Sequence, residues 1–579
     1  MAAKFTAHGA EATHPGARAA TDLGSPASSY RLSAPPAVLH PQAGPIHPET
    51  PVDPSPASGT GGHPPARHSQ EAPSPHSRRQ MALVFTGLIL AVLISSLDQT
   101  IVATALPTIV GDLQGLDHLS WVITAYLLTS TIGLPIYGKL GDLLGRKNIF
   151  VFAIAVFLAG SALSGQAHSM AELIGYRALQ GVGGGGLIIG AQAIIGDVVS
   201  ARDRGRYMGL IGAAFGVASV SGPLIGGYLT EYWSWRWVFY INLPLGAVAL
   251  AVIITSLHLP ARTGPRPKLD YSGAALLAVT SAALVMLTSW GGTTYAWTSP
   301  TILGLGALAA VGVAAFIPVE LRAAEPILPL RLFGNRNFLV CTLVGLSVGL
   351  AMFGSISYLP TFLQMVNGAS ATMSGLMMLP MTAGLLITSI GTGQLISRTG
   401  KYKIYPVLGA AVMIVGLLLL SRISNTTPYW FTAAGMFVLG LGIGALMQNL
   451  VLIVQNSVPG RDMGAGVSSA NYFRQMGGSL GIAVFGSVFI RRLNDQVAED
   501  APVQAAGVLR NGVNSISPAE LKTLPEPVRE FIARAFGEAL PPIFLLGIPA
   551  LGAGLVLALF IKQIPLSETA RVQPGTAAK

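Results

Sequence analysis

Polarity along this chain is organised in long blocks. From Met81 onward, mostly apolar runs cover 81–106, 119–138, 149–167, 171–195, 208–229, 238–257, 271–290, 301–319, 338–363, 374–396, 404–421, 429–452, 465–489 and 540–561. At the rise of an α-helix, about 20 apolar residues cross a bilayer, so the pattern predicts about fourteen transmembrane helices. A membrane barrel would show runs of about ten residues with alternating polarity, a different pattern. Short polar turns separate most runs. The long interval 490–539 is the exception, and its segment from Pro525 to Phe536 has the periodicity of a short surface amphipathic helix.

Composition agrees with the blocks. The chain of 579 residues is 51% hydrophobic and only 10% charged, against about 25% charged in a soluble domain. The net charge of +10 resides in loops, so it is not a nucleic-acid surface. The one cysteine, Cys341, lies in an apolar run and excludes an intrachain disulfide or a cysteine metal site. Residues 1–80 are rich in Pro, Ala, Gly, Ser and His and lack apolar clusters, which predicts a disordered cytoplasmic tail unless translation starts at Met81. Seven irregularly spaced histidines there (His8, His14, His40, His47, His63, His68 and His76) read as a solvated tail, so no metal is expected. No apolar signal-peptide core precedes the first run.

Loop charge gives orientation. Lys139, Arg146 and Lys147, then Arg202, Arg204 and Arg206, then Arg262, Arg266 and Lys268, then Arg322, Arg331 and Arg336, then Arg398, Lys401 and Lys403 all fall on one side. The short loops of the other side offer only Arg236 and Arg422. Positive residues stay inside, which predicts a multi-pass protein of the cell membrane with both termini cytoplasmic.

Three charges break the apolar runs. Asp98 sits in Ser95-Ser-Leu-Asp-Gln-Thr-Ile-Val, Arg177 in Tyr176-Arg-Ala-Leu-Gln-Gly, and Arg474 in Phe473-Arg-Gln-Met-Gly-Gly. A charge at membrane depth costs about 2.5–3.5 kcal/mol on insertion scales, so it faces a cavity or a partner and marks ion or substrate pathways. The structural alternatives are a hydrogen-bonded packing residue for Asp98, an interfacial snorkel for Arg177 and an anchor to carbonyls for Arg474. Thr100, Gln180, Tyr126, Tyr358 and Phe362 are further candidates to line a cavity, though such residues also serve plain packing. No nucleophile–base set, zinc spacing or nucleotide loop is present, so neither enzyme activity nor a cofactor is expected. The glycine run 183–186 lacks the Lys-Ser/Thr of a phosphate loop.

The loop Gly138-Lys-Leu-Gly-Asp-Leu-Leu-Gly-Arg-Lys147, with a second copy at Gly393-Gln-Leu-Ile-Ser-Arg-Thr-Gly-Lys401, resembles the signature loop of the major facilitator superfamily. Gly212 to Gly227, including Gly-Pro-Leu-Ile-Gly-Gly at its end, resembles the antiporter motif of its exporters. Asp98 in its Leu-Asp-Gln-Thr setting, Trp235 to Pro244, Glu325 to Phe333, Tyr358 to Gln364 and Gln455 to Pro459 are similar to the fourteen-spanner drug:proton antiporter family. The resemblance covers about 81–566. Ala103 departs from it, because Asn commonly follows Thr-Ile-Val there.

The resemblance implies an all-α major facilitator fold of two six-helix bundles, over 81–258 and 338–566, with an inserted helix pair and linkers at 259–337 and a tail at 567–579. It implies proton-coupled export of amphipathic or cationic small molecules. Asp98 and Arg177 would couple the proton. Gly138, Asp142, Gly145 and Arg146 would form a conformational latch, with Asp142 against the start of spanner 13 near Met463. Gly216, Gly222, Pro223, Gly226 and Gly227 would form the antiporter motif. Partners would be amphipathic substrates, protons and lipid, not nucleic acid. Export of a cell-envelope lipid or glycolipid, and a non-transporting membrane sensor, remain alternative readings.

Overall fold

The computed structural model describes residues 78–113, 119–259, 268–292, 294–500, 521 and 523–566. The expected tails over 1–77 and 567–579 lie outside these residues, as do most of the linker at 260–267 and the segment 501–520. Residues 78–80, assigned to the tail from sequence, already belong to the first helix.

Thirteen described helices are long and apolar enough to cross a membrane, and Ile404–Leu420 is a shorter apolar helix. Together they match the fourteen apolar runs. In order they are α1 (Arg78–Leu113), α2 (Leu119–Leu144), α3 (Arg146–Gly165), α4 (Met170–Val198), α5 (Arg204–Tyr232), the short α6 (Trp237–Tyr240), α7 (Asn242–Ser256), α8 (Tyr271–Trp290) and α9 (Pro300–Arg322). These are followed by α10 (Arg336–Met365), α11 (Ala371–Met377), α12 (Leu379–Thr399), α13 (Ile404–Leu420), α14 (Tyr429–Ser457), α15 (Met463–Asp500), α16 (Glu526–Ala539) and α17 (Gly547–Leu559). α16 is the amphipathic segment, with Val528, Phe531, Ile532 and Phe536 buried.

Helices α1–α7 pack among themselves, as do α10–α15 with α17. α8 and α9 pair, and α8 also meets α2 and α15. Without a hydrophobic drive between helices in lipid, close approach through small residues does the packing. The run on α4 shows how. A Cβ at Gly181 or Gly185 would strike the backbone of Tyr126 or Ser130 on α2, and one at Gly183 would strike that of Phe157 on α3. The same run therefore seats two neighbours on opposite faces. The surface of α9 is apolar, with Leu303, Val311 and Leu321 each more than half exposed, while polar groups turn inward, as in the 2.7 Å Ser281–Tyr472 bond.

The two sets meet along α2 with α15 and α5 with α12, the same pairing with the halves exchanged. At the Asp142 end, Gly138 lies against the backbone of Gly464 and the hydroxyl of Ser468, and Gly393 lies against the backbone of Gly205. The turns that follow both loop copies need positive φ, 97° at Gly145 and 70° at Gly400, a region open to glycine.

Enlarging Gly138 should force this approach apart. Spin labels at Leu144→Cys and Arg461→Cys, in a Cys341→Ser background, report the separation. We expect Gly138→Val to reduce the short-distance population about tenfold or more, given overpacking costs of about 1–3 kcal/mol. An unchanged distance distribution would show that this contact does not control the opening.

Candidate functional site

Asp98 lies just past the midpoint of α1, and α4 brings Arg177 to it. Arg177 Nη1 donates to Asp98 Oδ2 at 2.6 Å. Gln180, one helical turn on, donates to Asp98 Oδ1 at 2.8 Å and accepts from Arg177 at 2.7 Å. A third donor is Asn242 Nδ2, 3.1 Å from Asp98 Oδ1 and also bonded to Ser161 Oγ. Asp98, Gln180 and Asn242 are fully buried and Arg177 is 2% exposed. The arginine does not snorkel. Its guanidinium lies over the Tyr126 ring at 4.3 Å, a cation–π contact in a desolvated setting. A buried charge pair is tolerable only when its remaining hydrogen-bonding capacity is met, and these partners meet most of it.

Asn242 was missed from sequence. It is the first residue of α7, and the preceding loop explains its placement. Trp235 Nε1 and the Arg236 guanidinium both donate to Asp112, at 2.9 and 3.2 Å. They hold that carboxyl below its usual range, the indole bond contributing most. Arg236 also donates to the Ala167 carbonyl, and Ser161 to the Phe239 carbonyl. The loop is thus tied to α1 and α3, and α7 starts with its amide beside Asp98. The polar residue inside Tyr240-Ile-Asn-Leu-Pro was the one local signal.

Asp142, near the end of α2, caps the first turn of α15. It accepts from the Gly464 and Ala465 amides at 2.9 and 2.8 Å and from Arg146 Nη2 at 2.8 Å. A carboxylate at a helix N-terminus gains about 0.3–1 kcal/mol, and up to about 2 when partly buried. Arg146 reaches on to Asp197 and the Ala193 carbonyl, joining α2 and α3 to the end of α4. In the second copy, Ser397 Oγ accepts from the Arg206 amide in the first turn of α5 at 3.1 Å. The geometry repeats with a neutral acceptor. Lys139 is paired with Glu325 at 2.6 Å, and Arg331 with Asp462 at 2.7 Å.

The small residues of α5 divide between two partners. Gly222 and Gly226 lie against Thr100, Ile101 and Thr104 of α1, and Thr100 donates to the Ala218 carbonyl at 3.0 Å. Gly216 faces Leu386 of α12, Pro223 faces Gly375 of α11, and Gly227 faces Thr372 of α11. One motif therefore touches the Asp98 helix on one side and the other helix set on the opposite side. Of the remaining candidates, Phe362 is buried in packing. Tyr358 donates to the Ile482 carbonyl at 3.2 Å. Arg474 bonds Asn471 Oδ1 at 2.7 Å, within its own helix. The structure joins Asp98, Arg177, Gln180 and Tyr126 in one cluster and places Tyr358, Phe362 and Arg474 elsewhere.

Residues 88–482 match the profile described as the Major Facilitator Superfamily. An uncharacterised MFS-type transporter of Mycobacterium tuberculosis is 46% identical over 491 residues, covering 84% of this chain and 70% of its own. The multidrug transporter protein MdtP of Bacillus subtilis is 41% identical over 510 residues, covering 84% of this chain and 94% of its own. In fold, the chain resembles the human organic anion transporter MFSD10, with a TM-score of 0.54 at 16% identity, over 81% of this chain and 99% of that one.

If Asp98 and Arg177 act as one unit, each alone is a buried unpaired charge, costing about 3–5 kcal/mol. Arg177→Met and Asp98→Leu should each lower the thermal unfolding midpoint in detergent. The double variant should be more stable than either single one. Additive losses would show that the pair is not coupled.

Proposed function

We propose that this chain, a multi-pass membrane protein that belongs to the Major Facilitator Superfamily, exports amphipathic small molecules in exchange for protons. The observation that carries this reading is the ion pair of Asp98 and Arg177, sealed inside the first helix set at membrane depth. A protein has little reason to desolvate a charge pair for stability alone, because apolar residues of the same size serve as well or better. An ionisable group there marks an ion or substrate path. The multidrug transporter named among its relatives supports the same substrate class.

In this mechanism Asp98 is the proton carrier. As a carboxylate it holds Arg177, Gln180 and Asn242 together. Proton binding neutralises it and releases the guanidinium, so the packing of α1 against α4 and α7 differs between the two protonation states. Because α5 contacts α1 through Gly222 and Gly226, and α11 and α12 through its other face, a shift of α1 is passed to the second helix set. That set then rocks on the first, with alternating access at their interface. The two bundles are 81–258 and 338–566, with 259–337 as the inserted pair. The Lys/Arg-rich loops support a cytoplasmic side at the Asp142 end, with both termini there and the plasma membrane as the site of action. Asp142, bound to the α15 amides, is the latch of the cytoplasmic side.

Inverted vesicles test the coupling. Moving one charge through 100 mV is worth about 2.3 kcal/mol, or about fiftyfold in a substrate gradient. Asp98→Asn should abolish proton-driven accumulation while substrate binding to the purified protein stays measurable. Vesicles of that variant that still concentrate substrate would place the coupling proton elsewhere. Asp142→Ala should instead slow export by about two- to thirtyfold, matching the loss of a helix-terminus contact, and leave substrate-induced proton release intact. Equal loss of both readouts would remove the latch role.

A further inference from the structure

Arg474 is a cation that the coupling mechanism leaves unused. It lies eleven residues into α15, about 17 Å along the helix from its start, in a hydrocarbon layer about 30 Å thick. That places it near mid-membrane. Unlike Arg177, it makes no ion pair among the described residues. Its one hydrogen bond goes to the neutral Asn471, and its Nε is buried without an acceptor.

The chain of contacts leads to the interface between the helix sets. Asn471 Nδ2 donates to Gln192 Oε1 on α4 at 2.9 Å, and Gln455 Nε2 on α14 donates to the Gln192 carbonyl at 2.9 Å. Gln192 Nε2 is then a second buried donor without an acceptor. One connected network thus carries two idle N–H donors, one of them cationic, in a place where an unmet donor is costly. The network's idle acceptor, Gln455 Oε1, is neutral and leaves the Arg474 charge uncompensated. An oxyanion beside Arg474 would accept from the guanidinium and neutralise its charge.

We propose that Arg474 and Gln192 form an oxyanion subsite between the two helix sets, which takes the carboxylate, sulfonate or phosphate group of an amphipathic substrate. This rests on the export reading only for its physiological sense, and narrows its substrates to amphiphiles that carry an acidic group. Since the donors come from α15 and α4, a bound anion bridges the two sets, and it is lost when they separate at this level.

A matched pair of probes tests it by equilibrium binding to the purified full chain in nonionic detergent, using thermophoresis. 1-Anilinonaphthalene-8-sulfonate and N-phenyl-1-naphthylamine share their rings and differ by the sulfonate. The expected preference for the sulfonate is about tenfold or more, the worth of a charged hydrogen bond. Arg474→Gln should bring the ratio to about one with little change for the neutral probe, and Arg474→Lys should retain part of it. If Arg474→Gln is not monodisperse, Gln192→Leu carries the same expectation, with a smaller loss of preference. No preference in the wild type, or an undiminished preference in a folded Arg474→Gln, overturns the proposal. Displacement of the sulfonate by phosphatidylglycerol but not by decyl sulfate would assign the donors to a lipid headgroup and overturn it equally. Export in vesicles is a separate readout, so either reading can fail while the other stands.

Discussion

The contact between Asp98 and Arg177 sets the terms for the first helix set. Bringing two ions out of water costs several kcal/mol each, and their attraction offsets this only with good geometry and further hydrogen bonds. The surrounding chain supplies that geometry. Gly181 and Gly185 let α4 settle against α2, which carries Arg177 and Gln180 to the Asp98 level. The Trp235–Arg236 anchor on Asp112 fixes the start of α7 and so delivers Asn242. Three polar side chains from two helices converge on one carboxylate, and any loosening of these packings would strand a charge.

The two copies of the Gly138 and Gly393 loop solve one geometric problem with different electrostatics. Each places a small residue against a glycine of the other half and an acceptor at a helix N-terminus. Asp142 brings a full charge, balanced by Arg146, whereas Ser397 brings only a hydroxyl. The macrodipole term favours the carboxylate, so the α2–α15 contact is the firmer of the two.

The coupling proposed between these regions would run through α5. Its small residues are in van der Waals contact with α1 on one face and with α11 and α12 on the other. Close-packed interfaces move between discrete arrangements and do not deform continuously. On the proposed mechanism, a change at Asp98 would reach the second helix set by this short route, with no long chain of side chains required.

The sequence by itself determined the number and placement of the membrane helices, because a bilayer demands about 20 apolar residues per crossing and permits few exceptions. It also marked Asp98, Arg177 and Arg474, since a charge inside such a run is costly wherever it points. What it could not carry was the identity of partners across the fold. Asn242 is 144 residues from Asp98, and Gln192 is 279 from Asn471. Neither separation leaves a local periodicity, for hydropathy reports that a face is covered and not what covers it. The two arginines look alike in sequence, each embedded in an apolar helix beside a glutamine and glycines. Only the packing of α1, α4 and α7 gave Arg177 a carboxylate, and only the meeting of α4 with α15 left Arg474 with donors to spare. Such differences are settled by which helices touch, a property of the assembled fold that no single stretch of chain encodes.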